Sequence, residues 1–206
     1  MIGYYNYTVI LTYLGMLVGF TGIGHVLKGD LRGALICLFI SGVCDMFDGK
    51  LASTRKRTRE EKRFGVQIDS LSDLVCFGVL PSAAVCLACG MSRMSFCLGA
   101  LYLLCALIRL AWFNVDEEKR QDREDGRRTV YRGLPVTAAA LIFPALLGLG
   151  EKCRWPLQIL GPVLLLLTAA AFLTPFRLKK PVLRGKGSGP ELPSAEETER
   201  LGEWKA

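Results

Sequence analysis

Four aspartates lie in apolar sequence, where charged side chains are rare. Asp45 and Asp48 are three residues apart near the end of one apolar run, and Asp69 and Asp73 are four residues apart near the start of the next. These spacings place each pair on one face of a helix. An acidic group at the centre of a membrane helix costs roughly 2.5–3.5 kcal/mol, so ionisable residues in such segments indicate a functional site.

The two pairs of aspartates are predicted to meet. Asp48 precedes Ser53 by five residues and Asp69 follows Arg63 by six, so the pairs lie at similar depths, about 8–15 Å inside the helix ends. Two antiparallel neighbouring helices would then bring four carboxylates together, and their charges would repel. A hard divalent cation would offset that repulsion, since such ions prefer oxygen ligands and bridge carboxylates to substrate phosphates. Two ions beside a pyrophosphate would polarise its phosphoryl group and its leaving group.

Small residues accompany the acids. Gly49 and Ala52 lie one turn from the first pair, and Gly65 lies one turn before Asp69. Their size leaves room for a nucleotide against the helices. Two other interpretations stay open: the carboxylates form the pathway of an ion or metal transporter, or they only pair with Lys50 and the arginines of the loops.

Six apolar runs close to bilayer length would position these acids. A crossing needs about 20 apolar residues, and in lipid a helix satisfies its own backbone hydrogen bonds. Of the 206 residues 51% are hydrophobic, which is too concentrated for one soluble domain. The predicted fold class is therefore all-α, an integral membrane bundle of six transmembrane helices. The runs are Thr8–Leu27, Leu31–Ala52, Gly65–Cys89, Met94–Val115, Leu134–Gly150 and Pro156–Pro175.

The distribution of basic residues predicts the orientation. Ser53–Arg63, Asp116–Gly133 and the tail from Phe176 together hold nineteen Lys and Arg, against five in the three opposite loops. The positive-inside rule then places both termini in the cytoplasm and the aspartates near the cytoplasmic face of the cell membrane. The net charge of +7 indicates attraction to anionic membrane lipids. No soluble basic face for nucleic acid is apparent.

The remaining organisation is simple. Gly15, Gly19 and Gly22 form a small-residue stripe on the first helix, which predicts close packing within the bundle or at a dimer contact. A single transmembrane domain is predicted over residues 1–178. The Gly-, Pro- and Glu-rich residues 179–206 are predicted to be a disordered cytoplasmic tail. The sole histidine, His25, is remote from the aspartates and is assigned no role.

The aspartate region resembles the signature of the CDP-alcohol phosphatidyltransferase family, D-x2-D-G-x2-A-R-x8-G-x3-D-x3-D. Seven of the eight signature residues match. Ser53 stands where the family has Arg, and the spacer before Gly65 is eleven residues rather than eight. Arg55, two positions on, is a candidate source of the missing positive charge. The matching residues are Asp45, Asp48, Gly49, Ala52, Gly65, Asp69 and Asp73.

Further stretches are similar to the phosphatidylserine synthase branch of that family. They are Asp69–Pro81, Arg109–Val115 and Tyr131–Val136. Asn6 and Thr8 resemble the Asn/Thr pair that begins the first helix of the family. The resemblance extends from Tyr5 to about Pro175.

The resemblance implies an enzyme that transfers the phosphatidyl group of CDP-diacylglycerol to L-serine and releases CMP. It also implies two Mg²⁺ or Mn²⁺ ions and a homodimer. By resemblance, Asp45, Asp48 and Asp69 are the main metal ligands. Asp73 completes the metal site and is the general base for the serine hydroxyl. The implied contacts to the CDP-lipid are Asn6, Thr8, Gly49, Ala52, Ser53, Arg55 and Gly65.

Two arginines are candidates for binding the acceptor or a phosphate. Arg109 lies deep in a predicted span and is expected either to bind the serine carboxylate or a lipid phosphate, or to pair with an acid structurally. Arg132 is expected to bind phosphate or to anchor the helix at the membrane surface. The alternative acceptors glycerol 3-phosphate and inositol phosphate would need more arginines within the spans. The sequence therefore favours an uncharged or zwitterionic acceptor, with a divalent-metal transporter as the alternative outside the enzyme class.

Overall fold

The computed structural model describes residue 3 and residues 7–52, 54, 58–122, 130–174 and 177–179. Over these residues the chain is helical apart from its turns and one short pair of strands, which confirms the predicted helical class. A π-helical turn at Leu74–Val79 joins α3 to α4, so that Arg59–Ala88 is one continuous helix. The helices are α1 (Ile10–Leu27), α2 (Leu31–Ala52), α3 (Arg59–Asp73), α4 (Leu80–Ala88), α5 (Arg93–Asp122), α6 (Ala139–Lys152) and α7 (Leu157–Leu173).

Among the residues that the structure describes, three helices are long and apolar enough to cross a membrane. They are Ile10–Leu27, Arg59–Ala88 and Arg93–Lys119, and α7 is a shorter apolar helix. Large apolar side chains, among them Phe20 on α1, are exposed on the outside of the bundle. Lipid rather than water is the solvent that suits such a surface. The six crossings and the orientation of the termini stay predictions.

Two helices extend beyond the predicted spans into charged sequence. α3 begins at Arg59 rather than at Gly65, because Thr58 and Glu61 form a capping box. The Thr58 hydroxyl accepts the Glu61 N–H at 3.2 Å, and the Glu61 carboxylate accepts the Thr58 N–H at 2.8 Å. α5 continues to Asp122 rather than ending at Val115. Parts of both segments predicted as loops are therefore helical.

The segment before α6 also differs from the prediction. The helix begins at Ala139 rather than at Leu134, because Pro135 has an extended backbone and a 3₁₀ turn over Val136–Ala138 follows it. Just before it, strand β1 (Val130–Arg132) pairs antiparallel with strand β2 (Arg177–Lys179). This pairing joins the α5–α6 connection to the residues after α7, and it was not predicted.

The glycine stripe of α1 packs inside the bundle. A side-chain carbon at Gly15 would lie 3.2 Å from Cys44 of α2, and one at Gly19 would lie 2.5 Å from the Cys76 sulfur in the π-helical turn. At Gly22 it would meet both Leu80 and Cys37 within 3 Å. Of the two predicted uses of the stripe, packing within the bundle is the one observed.

Asp30 directly precedes α2, at the end of the bundle away from the aspartate cluster. Its carboxylate accepts the Gly33 N–H at 2.9 Å and contacts the His25 ring at 2.8 Å. These two interactions lower the pKa of Asp30 below its usual range, and the hydrogen bond from Gly33 is the larger cause. His25 therefore has a local structural contact, remote from the site as expected.

Tyr102 lies at the centre of the core and holds the π-helical turn. Its ring packs between Phe143 and Phe172, with centroids 5.6 and 5.5 Å away, and its side chain is fully buried. Its hydroxyl donates to the Phe77 carbonyl at 2.7 Å. Pro81, four residues after Phe77, has no N–H to donate to that carbonyl. Tyr102 thus gives the Phe77 carbonyl a donor that Pro81 is unable to supply.

Replacing Tyr102 by Phe is expected to destabilise the protein by about 1–3 kcal/mol, because the Phe77 carbonyl loses its donor in a buried place. The measurement is thermal denaturation in detergent, with Tyr13→Phe in α1 as the matched control. In the double variant Pro81→Ala/Tyr102→Phe, the restored backbone N–H should recover part of the loss. Equal melting temperatures for the wild type and Tyr102→Phe would contradict this account.

Candidate active site

The aspartates predicted to meet lie together in the structure. One carboxylate oxygen from each of Asp45, Asp48 and Asp69 lies within 4.8 Å of the other two. Asp73 lines the same cavity. α2 supplies the first two and α3 supplies the others, as the spacing predicts. Asp48 is buried, with 8% of its surface exposed, and Asp45, Asp69 and Asp73 are half-buried.

Thr12 of α1 is a site residue that the sequence analysis missed. Its hydroxyl donates to the Asp48 carboxylate at 3.1 Å, and its backbone carbonyl accepts the Ser72 hydroxyl at 3.5 Å. α1 therefore contacts both acidic helices. Thr12 follows Thr8 by four residues, a spacing that predicts one shared face in the first span, so this spacing was the signal available in the sequence.

Thr12→Val is expected to weaken binding of Mn²⁺ about 10–100-fold, the usual effect of removing a hydrogen bond that orients a metal-binding carboxylate. Valine keeps the shape of threonine but cannot donate to Asp48. Thr12→Ser restores the hydroxyl and should bind nearly as well as the wild type. The measurement is Mn²⁺ titration by electron paramagnetic resonance. Equal affinities for the Val and Ser variants would contradict an orienting role.

The cavity between the carboxylates is narrow. About 10 Å³ is open to a water-sized sphere, which suits an ion or one water molecule. Gly49 lies beside the acids at the exposed side of α2, and a side-chain carbon there would meet no atom within 4 Å. This space is open to a ligand, and the contact of Gly49 with the CDP-lipid stays a prediction. The cavity is lined by Leu11, Thr12, Gly15, Ser41, Asp45, Asp48, Asp69, Ser72, Asp73, Cys76 and Phe77.

The donor set fits a hard divalent cation. The clustered groups are carboxylates from two helices, and oxygen ligands of this kind suit Mg²⁺ or Mn²⁺ better than a soft metal. Carboxylates buried this close together repel unless positive charge compensates them. The residues present therefore fit a divalent metal ion.

α5 is held against α3 next to the site. The Ser70 hydroxyl donates to the Asn114 side-chain oxygen at 2.7 Å, and the Asn114 amide donates to Gln67 at 3.4 Å. Nearer the start of α3, Arg63 and Glu118 form an ion pair at 2.9 Å. Since Ser70 directly follows Asp69, these contacts set the position of the acidic face of α3.

Arg109 does not line the aspartate cavity. It is buried in α5, where its Nε donates to the Leu134 carbonyl at 3.2 Å and its guanidinium lies 5.4 Å from the Trp112 ring centre. A side-chain carbon at Gly133 would lie 3.5 Å from that guanidinium and 3.0 Å from the Thr174 carbonyl. Gly133 also has a φ of +79°, which favours glycine. Arg109 thus holds the turn before α6, and acceptor binding stays a prediction.

Several predicted contact residues are only partly described. Asn6, Ser53 and Arg55 lie outside the described residues. Gly65 is half-buried on α3. For three more the backbone is described but the side chain is not, namely Thr8, Ala52 and Arg132.

The fold and the site together define a membrane protein whose apolar helices enclose a cluster of carboxylates. The family model of the CDP-alcohol phosphatidyltransferases matches residues 5–174. The chain belongs to that family, as the resemblance of its aspartate motif predicts.

Curated relatives share part of the chain. A CDP-diacylglycerol–serine O-phosphatidyltransferase of Saccharomyces cerevisiae is 34% identical over 63% of this chain and 50% of its own length. An archaetidylserine synthase of Methanothermobacter thermautotrophicus is 32% identical over 64% of this chain and 53% of its own. A CDP-diacylglycerol–serine O-phosphatidyltransferase of Mycobacterium tuberculosis is 30% identical over 68% of this chain and 48% of its own length. The chain spans about half the length of the curated relatives it matches.

Proposed function

We propose that this chain is a phosphatidylserine synthase, which transfers the phosphatidyl group of CDP-diacylglycerol to L-serine and releases CMP. One observation carries the proposal: carboxylates at the family's motif positions in α2 and α3 converge on one cavity. The names of the relatives support serine as the acceptor.

Asp73 is the proposed general base. It lines the cavity beside the three clustered carboxylates, which supports a role in accepting a proton from an acceptor held there. The serine hydroxyl proton passes to Asp73, and the serine oxygen forms a bond to the β-phosphorus of CDP-diacylglycerol. The bond between that phosphorus and the bridging oxygen breaks, and CMP leaves with the electron pair.

Asp45, Asp48 and Asp69 are the proposed ligands of the cation, with Asp73 completing the site. Mg²⁺ or Mn²⁺, as two ions when bound, would act as a Lewis acid toward the pyrophosphate. Thr12 keeps the Asp48 carboxylate oriented.

Serine is favoured by the scarcity of arginine within the predicted spans. Glycerol 3-phosphate and inositol phosphate carry a phosphate that arginine commonly binds in bidentate fashion. Arg109, which lies deep in a predicted span, contacts the Leu134 carbonyl and the Trp112 ring. The proposed contacts to the CDP-lipid are Asn6, Thr8, Gly49, Ala52, Ser53, Arg55 and Gly65, with Arg132 as a candidate phosphate contact.

The proposal includes the arrangement of the chain in the membrane. Residues 1–178 form the transferase domain, which crosses the cell membrane six times, and residues 179–206 form a cytoplasmic tail. The nineteen basic residues on one side support a cytoplasmic active site and cytoplasmic termini. The enzyme acts as a homodimer among membrane lipids.

The test is CMP release by purified protein in detergent with CDP-diacylglycerol and Mn²⁺. Serine, glycerol 3-phosphate and inositol phosphate are compared as acceptors, with a cation-free sample as the control. The expected result is release with serine alone and loss of activity without the cation. CMP release only with a phosphorylated acceptor would agree with the family assignment but overturn the proposal that serine is the acceptor. No release with any acceptor, together with cation flux in liposomes, would favour the metal transporter.

A further inference from the structure

A groove separates α2 from α6 at the end of the bundle away from the aspartates. Its volume is about 620 Å³, within the roughly 300–1,000 Å³ typical of small-molecule sites. The start of α2 and the end of α6 form its walls, so it lies more than ten residues along α2 from Asp45. It is lined by Arg32, Leu35, Ile36, Phe39, Pro144, Gly148, Glu151 and Lys152.

The two helices touch at both ends of this groove. At the inner end they pack closely, since a side-chain carbon at Gly42 would collide with the Ala140 side chain. At the mouth, Arg32 Nε donates to the Glu151 carboxylate at 2.9 Å. Between these contacts the helices leave open space, and a side-chain carbon at Gly148 would meet no atom within 4 Å. The groove is therefore a slot that is closed at its inner end by the contact of Gly42 with Ala140.

The slot changes from apolar to cationic along its length. Leu35, Ile36 and Phe39 form its α2 wall, and the distance from Arg32 to Phe39 is about 10 Å at 1.5 Å per residue. At the mouth, Arg32 and Lys152 are positively charged, and Glu151 pairs with Arg32. The three side chains together therefore carry a net charge of +1. Arg32 is the second residue of α2 and Lys152 the last of α6, so both lie at helix ends, the level of lipid headgroups.

We propose that this slot binds an anionic phospholipid from the leaflet opposite the aspartate cluster. The phosphate lies against Arg32 and Lys152, and one acyl chain lies along the apolar walls toward Gly42. The basic mouth of the slot complements the negatively charged phosphate, and the apolar walls complement the acyl chain. This site goes beyond the transferase activity, because it lies at the other end of α2 from the carboxylates.

Native mass spectrometry of the purified protein tests the site, with dioleoyl phosphatidylglycerol and dioleoyl phosphatidylcholine titrated separately. Gly148→Leu fills the slot from a position where the structure has open space. Gly24→Leu is its matched control, because a side-chain carbon at Gly24 in α1 also meets no atom within 4 Å. Lys152→Gln removes one charge from the mouth, and Arg93→Gln at the start of α5 is the charge control.

The wild type is expected to retain phosphatidylglycerol in preference to phosphatidylcholine. Gly148→Leu should lose that bound lipid, and Lys152→Gln should bind phosphatidylglycerol about fivefold more weakly, the effect of one basic residue at a membrane surface. Both controls should match the wild type. Lys152→Gln keeps the test decisive even if Gly148→Leu fails to fold.

Four results would each overturn the site. One is equal retention of the two lipids by the wild type, and another is equal lipid binding by Gly148→Leu and Gly24→Leu. The third is that Gly148→Leu raises the KM for CDP-diacylglycerol while phosphatidylglycerol retention is unchanged, which would assign the slot to a substrate acyl chain. A change from dimer to monomer in Gly148→Leu without lipid loss would assign it to a second copy of the chain, also against the proposal.

Discussion

Asp73→Asn is expected to lower the rate of CMP release about 10²–10⁴-fold, the range for loss of a general base. Asparagine is nearly the same size as aspartate but cannot take the acceptor proton. The three carboxylates that cluster within 4.8 Å are unchanged in this variant. Binding of Mn²⁺ should therefore weaken less than turnover falls. This separation between binding and turnover is the signature of a base.

The measurement combines CMP release under saturating serine with Mn²⁺ titration of the same sample. Asp30→Asn is the matched control, since it removes a carboxylate at the far end of α2, where Asp30 contacts Gly33 and His25. The control should keep the wild-type rate. If Asp73→Asn turns over within tenfold of the wild type, Asp73 is not the base.

Asp69→Asn is expected to have the largest effect on metal binding. Asp69 belongs to the group of three carboxylates and is the member that α3 supplies. Metal-ion catalysis contributes several kcal/mol of transition-state stabilisation, so CMP release should fall by at least roughly 10²–10³-fold. In the absence of cations the variant should be more thermally stable than the wild type, because one of the mutually repelling carboxylate charges is gone.

Thermal denaturation with and without Mn²⁺ tests the expected loss of metal binding and the expected gain in stability without cations. The wild type should gain stability when Mn²⁺ binds, by mass action on the folded state. Asp69→Asn should gain much less, and Asp30→Asn should gain as much as the wild type. A full Mn²⁺-dependent gain in Asp69→Asn would exclude Asp69 as a ligand.

Much of the fold was visible in the sequence because the bilayer permits few structures. The predicted bounds of the second run, Leu31–Ala52, are those of α2. The convergence of the aspartates followed from helical spacing and from depth along two neighbouring helices. Both arguments use local geometry, which a single sequence carries.

The missed features depend on contacts between distant parts of the chain. The pairing of β1 with β2 joins segments more than forty residues apart, and neither shows a strand pattern. The Thr12 contact with Asp48 depends on how closely α1 packs, which in turn depends on its glycines. The early start of α3 is different, because the Thr58 and Glu61 capping box is a local signal that was overlooked.

The hydrogen bond from Tyr102 to Phe77 links the evolution of two positions. A proline at 81 leaves a carbonyl without its usual backbone donor, and the tyrosine hydroxyl on another helix replaces that donor. Loss of the hydroxyl should therefore be tolerated only where residue 81 has regained an N–H. Across related sequences we expect positions 81 and 102 to covary, with phenylalanine at 102 accompanying a residue other than proline at 81.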